Sequence, residues 1–146
     1  MELDELYREA ILDHARHPRN FGDLPGSDRS ASATNVGCGD AIRLTLRLSP
    51  EGSIEAIRFR GSGCAISTAS ASLLTLAVRG KSAEEAQALC AKIQRLLTGG
   101  AAPEDDLPGE LAALAGVRRF PQRVGCALLA WHALDEALRE RGQTRT

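Results

Sequence analysis

The sequence predicts a chain that mixes helices with one antiparallel β-hairpin, and three observations carry that expectation. Apolar residues alternate with polar ones from Ile42 to Leu48, recur at helical spacing from Ala86 to Leu97, and surround the whole circumference from Ala127 to Trp131. At 146 residues the chain fits one domain, expected to run 1–146, and it is long enough to bury a core without a metal or a disulfide.

The first element is an amphipathic helix with Leu3, Leu6, Tyr7, Ala10, Ile11 and His14 on one face and Asp4, Glu5, Arg8, Glu9 and Asp13 opposite; Pro18 ends it. His14 and His17 flank its end, where a last-turn imidazole meeting the helix dipole is the commoner case, so neither is assigned to a site. Residues 17–34, rich in Pro, Gly, Ser and Asp, read as a loop with a short edge strand near Ala31 to Val36. Ile42, Leu44, Leu46 and Leu48 then alternate with Arg43, Thr45 and Arg47, the period of a strand with one wet face. Pro50-Glu51-Gly52 turns the chain and Ile54 to Phe59 returns it, with a bulge expected between Ala56 and Ile57, where the alternation slips. The antiparallel hairpin brings its two ends together, so Cys38 at its entry and Cys64 at its exit become neighbours.

Beyond Cys64, Ser67 is expected to cap a helix whose body, Ala69 to Val78, is small or apolar on most sides; Gly80 closes it. Ser82 with Glu85 three residues later forms a capping box, and the helix that follows places Ala86, Leu89, Cys90, Ile93 and Leu97 on one stripe. Cys90 on that stripe reads as an inert small hydrophobe. Gly99 to Asp106 is a polar connection, and Leu107, Leu111 and Leu114 suggest a short helix before Gly116. The last helix opens after Pro121; within it Trp131 reads as packing and His132 as a core or surface residue.

Composition excludes several classes of function. Lys and Arg number 18 against 19 Asp and Glu, a formal charge of −1, which gives no electrostatic case for nucleic acid or an acidic membrane surface. Aromatics are only 3%, too few for a base-stacking platform. The start Met1-Glu2-Leu3-Asp4-Glu5 is acidic, without the basic and apolar regions of a signal peptide, and no stretch reaches transmembrane length, so a cytoplasmic protein is expected. In that compartment four cysteines are metal ligands, reactive thiols or core residues rather than disulfides.

The candidate chemistry starts at Cys38-Gly39-Asp40, where a thiol and a carboxylate separated by one glycine and preceded by another, Gly37, can point at one object. Cys64 lies just before the helix assigned to Ser67, and Cys126 falls in the first turn of the last helix. Helix N-termini favour anions and lower thiol pKa, and thiolate is the form that binds metal and attacks sulfur electrophiles. Cys38, Asp40, Cys64 and Cys126 therefore amount to a four-ligand tetrahedral set. Its sulfurs are scattered and no C-x-x-C knuckle is present, so spacing alone leaves a metal site and three unrelated buried thiols both open.

Leu6-Tyr7-Arg8, Asp13-His14, His17-Pro18-Arg19-Asn20, Cys38-Gly39-Asp40, the run Gly61 to Ser72 and Arg123-Val124-Gly125-Cys126-Ala127 resemble the iron–sulfur cluster assembly family of IscU and SufU. The resemblance runs in order from residue 3 to about 139. It implies an α+β fold, a small antiparallel three-stranded sheet packed against a helical layer, and a site of three cysteines and an aspartate, which map onto Cys38, Asp40, Cys64 and Cys126. Within the family the chain looks like the SufU branch, because the interval between Cys64 and Cys126 contains an extra segment, Gly99 to Val117, that IscU-type scaffolds lack. Gly125 stands where the scaffold branch has a ligand histidine and SufU-type proteins usually have lysine, and Phe120-Pro121-Gln122-Arg123-Val124 replaces the scaffold's chaperone-recognition segment. Arg123 matches the arginine of the SufU motif and can supply positive charge beside the thiolates.

SufU-type proteins, by that resemblance, bind zinc, accept sulfur from the persulfide of a pyridoxal-phosphate cysteine desulfurase (SufS-like), and pass it to downstream iron–sulfur assembly proteins. Cys38 would be the acceptor. One rival is a scaffold on which a [2Fe-2S] cluster, or iron, is held by the same four residues and then surrendered; another is a structural zinc-binding adaptor without sulfur chemistry.

Overall fold

The structure is a computed structural model and describes residues 3–35, 37, 39–99, 107 and 109–139. Helix α1 (Leu3–Arg16) is followed by strands β1 (Arg29–Asn35), β2 (Asp40–Leu48) and β3 (Ile54–Ser62), then by α2 (Ala65–Val78), α3 (Ala83–Leu97), a 3₁₀ segment (Gly109–Arg119), a short 3₁₀ turn (Pro121–Arg123) and α4 (Val124–Arg139). The strands form one antiparallel sheet in the order β1-β2-β3. Ile42, Leu44 and Leu46 face inward and are buried, while Arg43, Arg58 and Arg60 stay on the wet side, as the period-two pattern requires. The helical layer covers the inner face, with α4 against β1 and β2 and α2 against β3. This is the α+β arrangement expected from the sequence. No helix among the described residues is long and apolar enough to cross a membrane.

Three local details differ from expectation. Strand β1 starts at Arg29, two residues earlier than its polar, small-residue composition suggests. The bulge lies at Glu55: Arg47 pairs with Ala56 and Leu48 with Ile54, leaving Glu55 over. The extra residue lets Ile54 and Ile57, three positions apart, both enter the core at 0% and 2% exposure, which a regular strand forbids. Helix α2 begins at Ala65, so Cys64 is itself the N-cap and Ser67 lies inside the first turn, its hydroxyl donating to the Cys64 carbonyl at 3.0 Å. The capping acceptor comes from another element: Asp40 Oδ1 takes the Cys64 N–H at 2.8 Å.

The capping box of α3 is present, with Ser82 and Glu85 exchanging hydrogen bonds. The expected short helix is an eleven-residue 3₁₀ segment that buries Leu111 and Leu114 and continues past Gly116 to Arg119. Most of the polar connection, residues 100–106, lies outside the described residues. Trp131 is the large core side chain of α4, and its Nε1–H donates to Ser70 Oγ at 3.0 Å while that hydroxyl donates to the Ala127 carbonyl at 2.6 Å.

Cys90 is 7% exposed with its sulfur 3.6 Å from the Trp131 carbonyl, and burial, reinforced by Asp135, pushes its thiol up to about 12. Such a thiol is a poor nucleophile and a poor ligand. Cys90→Ala is expected to lower unfolding stability by ~1 kcal/mol in urea titration and to leave metal content unchanged. A variant purified without metal would reassign Cys90.

Candidate metal centre

Each ligand candidate is placed by a different element. Asp40 opens β2 opposite Asn35, Cys64 caps α2 directly after β3, and Cys126 is the third residue of α4. One ligand atom from each of Asp40, Cys64 and Cys126 lies within 4.8 Å of the other two. Cys38, the remaining candidate, lies outside the described residues.

The cluster has the chemistry of a cation site. Asp40 is 2% exposed; it accepts the Cys64 backbone N–H, and its second oxygen lies 3.8 Å from the Cys64 sulfur. Among the described residues no Lys or Arg forms an ion pair with it, and the buried carboxylate faces two sulfurs. Burying an ionised carboxylate is unfavourable unless a cation or several hydrogen bonds compensate it. A divalent ion with affinity for sulfur and oxygen fits this donor set.

Close packing holds the carboxylate in place. Gly63 has φ +154°, and a Cβ there would overlap Asp40 Oδ1 and lie 2.8 Å from Ser67 Oγ. Glycine lets the chain pass directly beneath the acid.

Tyr7 lies within electrostatic reach of both Cys64 and two arginines. Arg119 and Arg123 are exposed, and both act on the Tyr7 hydroxyl, which also senses Cys64. Burial raises the Tyr7 pKa; the two guanidinium groups oppose that rise and the Cys64 sulfur adds to it. Tyr7 stacks on Phe120 with ring centroids 6.2 Å apart.

The histidines lie elsewhere. His132 is exposed and shares a groove between α3 and α4 with Cys90, Gln87, Gln94 and Asp135. His14 is fully buried, with Nδ1 at 2.7 Å from Ser72 Oγ and Nε2 at 2.9 Å from Glu110 Oε1; the same hydroxyl accepts the Arg19 N–H at 2.9 Å. It is a core tie between α1, α2 and the 3₁₀ segment rather than a dipole-facing side chain. Its membership of the apolar stripe of α1 is the signal of that role in the sequence. Asn35, whose Nδ2 is 3.8 Å from Cys126 Sγ, joins the site without any sequence pattern to mark it.

Residues 6–140 match the NifU-like N terminal domain family. The chain belongs to the NifU-like N-terminal domain family. This NifU-like domain is 44% identical over 138 residues, 94% of the chain and 86% of the relative, to the iron-sulfur cluster assembly scaffold protein IscU of Streptococcus pyogenes serotype M1. It is 40% identical over 136 residues, 93% of the chain and 91% of the relative, to the zinc-dependent sulfurtransferase SufU of Bacillus subtilis strain 168. Among solved structures, the SUF-system protein FiSufU of Fervidobacterium islandicum AW-1 superposes with a TM-score of 0.84 at 28% identity, covering 92% of this chain and 97% of that one.

Proposed function

We propose that this NifU-like domain serves iron–sulfur cluster assembly as a zinc-binding sulfur acceptor, with Cys38, Asp40, Cys64 and Cys126 as the metal ligands. The observation that carries this reading is the meeting of two sulfurs and a buried carboxylate, with one ligand atom from each within 4.8 Å of the others. The 40% identity to a zinc-dependent sulfurtransferase supports it. Bound zinc would hold the thiolates against oxidation while contributing no redox chemistry of its own.

The donor is the persulfide of a pyridoxal-phosphate cysteine desulfurase of the SufS kind. The Cys38 thiolate attacks the terminal sulfur of that persulfide; the new S–S bond forms on Cys38, the donor's S–S bond breaks, and the donor cysteine leaves as a thiolate. One sulfane sulfur moves, charge is conserved and no external oxidant or reductant takes part. Cys38 is the acceptor because it stands between Gly37 and Gly39, off the helices that fix Cys64 and Cys126. Arg123 screens the incoming negative charge. The Cys38 persulfide then supplies downstream iron–sulfur assembly proteins.

The 44% identity to a scaffold protein favours a second reading, in which the same residues hold a [2Fe-2S] cluster or iron in transit. Metal analysis of anaerobically purified protein separates the two, colourless zinc protein against brown iron protein. The sulfur-transfer step is tested by trapping the protein during turnover with a desulfurase and cysteine, alkylating it, and mapping the persulfide by mass spectrometry. Sulfur on Cys38 and loss of desulfurase stimulation in Cys38→Ala are expected. Sulfur chiefly on Cys64 or Cys126 overturns the assignment.

A further inference from the structure

We propose that Asn35 is a positioning residue of the metal centre, its side-chain amide holding the Cys126 sulfur and filling the space that Gly125 leaves open. The proposal rests on reading the cluster as a metal site, and three observations meet at this residue. Asn35 Nδ2 is 3.8 Å from Cys126 Sγ, within reach of an N–H···S hydrogen bond. A Cβ added to Gly125 would come 3.0 Å from that same Nδ2, a tight contact that packs the amide directly against position 125. On its backbone, the Asn35 carbonyl accepts the Gly39 N–H at 2.8 Å, and Asn35 pairs with Asp40 across the β1–β2 ladder.

One residue thus ties the turn on which Cys38 and Asp40 lie in sequence to the helix that carries Cys126. An amide N–H aimed at a ligating sulfur fixes the sulfur's orientation and offsets part of its charge, the role that outer hydrogen-bond partners play at metal sites generally. Asn35 does this as a neutral donor. The two positions are coupled: a Cβ at 125 would press on the amide, which must give by a few tenths of an ångström.

The test uses the full chain, handled anaerobically, in five forms: wild type, Asn35→Ala, Asn35→Leu, which keeps the volume but lacks the donor, Gly125→Ala, and the Asn35→Ala/Gly125→Ala double variant. Zinc affinity is read by competition with a chromophoric chelator, and the sulfur environment by the thiolate-to-cobalt charge-transfer band after cobalt(II) titration. Both Asn35 variants are expected to bind zinc about 10-fold or more weakly and to shift the cobalt band, with far-ultraviolet circular dichroism unchanged. Gly125→Ala should move both readouts the same way by less, and the Asn35→Ala/Gly125→Ala double variant should lose no more than Asn35→Ala alone. Unchanged affinity and band in Asn35→Leu, or additive losses in the double variant, overturn the proposal. Sulfur acceptance is assayed in parallel. A zinc-loaded wild type that takes no sulfur overturns the transfer reading and leaves the role of Asn35 standing, whereas a wild type that binds neither metal overturns both.

Discussion

Gly63→Ala is expected to abolish tight metal binding while the sheet and helices still form. The new methyl group would overlap Asp40 Oδ1 and sit 2.8 Å from Asp40 Cγ, so the carboxylate must leave its position. It cannot retreat freely, because Asp40 is 2% exposed and its Oδ1 is committed to the Cys64 N–H at 2.8 Å. The backbone adds to the effect: φ of +154° is a conformation that side-chain-bearing residues rarely adopt, at about 1–3 kcal/mol of strain. Displacing a ligand exceeds the loss of an outer hydrogen bond, so zinc affinity should fall by ~100-fold or more in chelator competition. Wild-type affinity in this variant would show that Asp40 contributes nothing to the metal.

The second large effect separates the two tasks of Asp40 itself. As a hydrogen-bond acceptor it closes the start of α2, and on the proposed ligand set it would, as an anion, supply charge to the metal. Asp40→Asn keeps an oxygen for the Cys64 N–H and removes the charge; Asp40→Ala removes both. Both variants should lose metal affinity, but only Asp40→Ala should also lose folding stability, by ~1–3 kcal/mol for a partly buried amide left without its partner. Urea denaturation of the metal-free proteins measures the difference. Equal stability of the two variants would mean that the Asp40–Cys64 bond does nothing for α2.

Elements whose residues repeat with a period are legible in the amino-acid sequence alone. The β2–β3 hairpin, the capping box at Ser82 and the stripe through Ile93 each follow from local side-chain chemistry, and so does the inert Cys90. Asp40, Cys64 and Cys126 are identifiable as residue types that bind metal, but their meeting depends on the packing of α2 and α4 onto the sheet. Where expectation and structure part, the cause is non-local. Ser67 has the chemistry of a cap because serine caps helices, whereas the acceptor that closes α2 arrives from β2, 24 residues away in sequence. His14 has the position of a last-turn residue, but its partners, Ser72 and Glu110, lie 58 and 96 positions away. Asn35 carries no periodic or motif signal, since its meaning comes from a space at Gly125 that only the folded chain defines.

The Ser70 hydroxyl, bonded to the Ala127 carbonyl at 2.6 Å and receiving the Trp131 indole at 3.0 Å, divides the site into halves of unequal resistance to opening. It staples α2 to α4 one residue from Cys126, deep in the core, so the backbone that carries Cys126 opens only when the main cooperative unit comes apart. The other half hangs from the β1–β2 turn, where the Gly39 amide is exposed and held by a single backbone bond to Asn35. In hydrogen exchange the amides around Ala127 and Ser70 should therefore report global unfolding, while Gly39 should exchange through local opening orders of magnitude sooner. On the proposed ligand set, Cys38, next to Gly39 in sequence, is then the ligand that can detach repeatedly without melting the protein, while Asp40 stays buried on its bond to the Cys64 N–H.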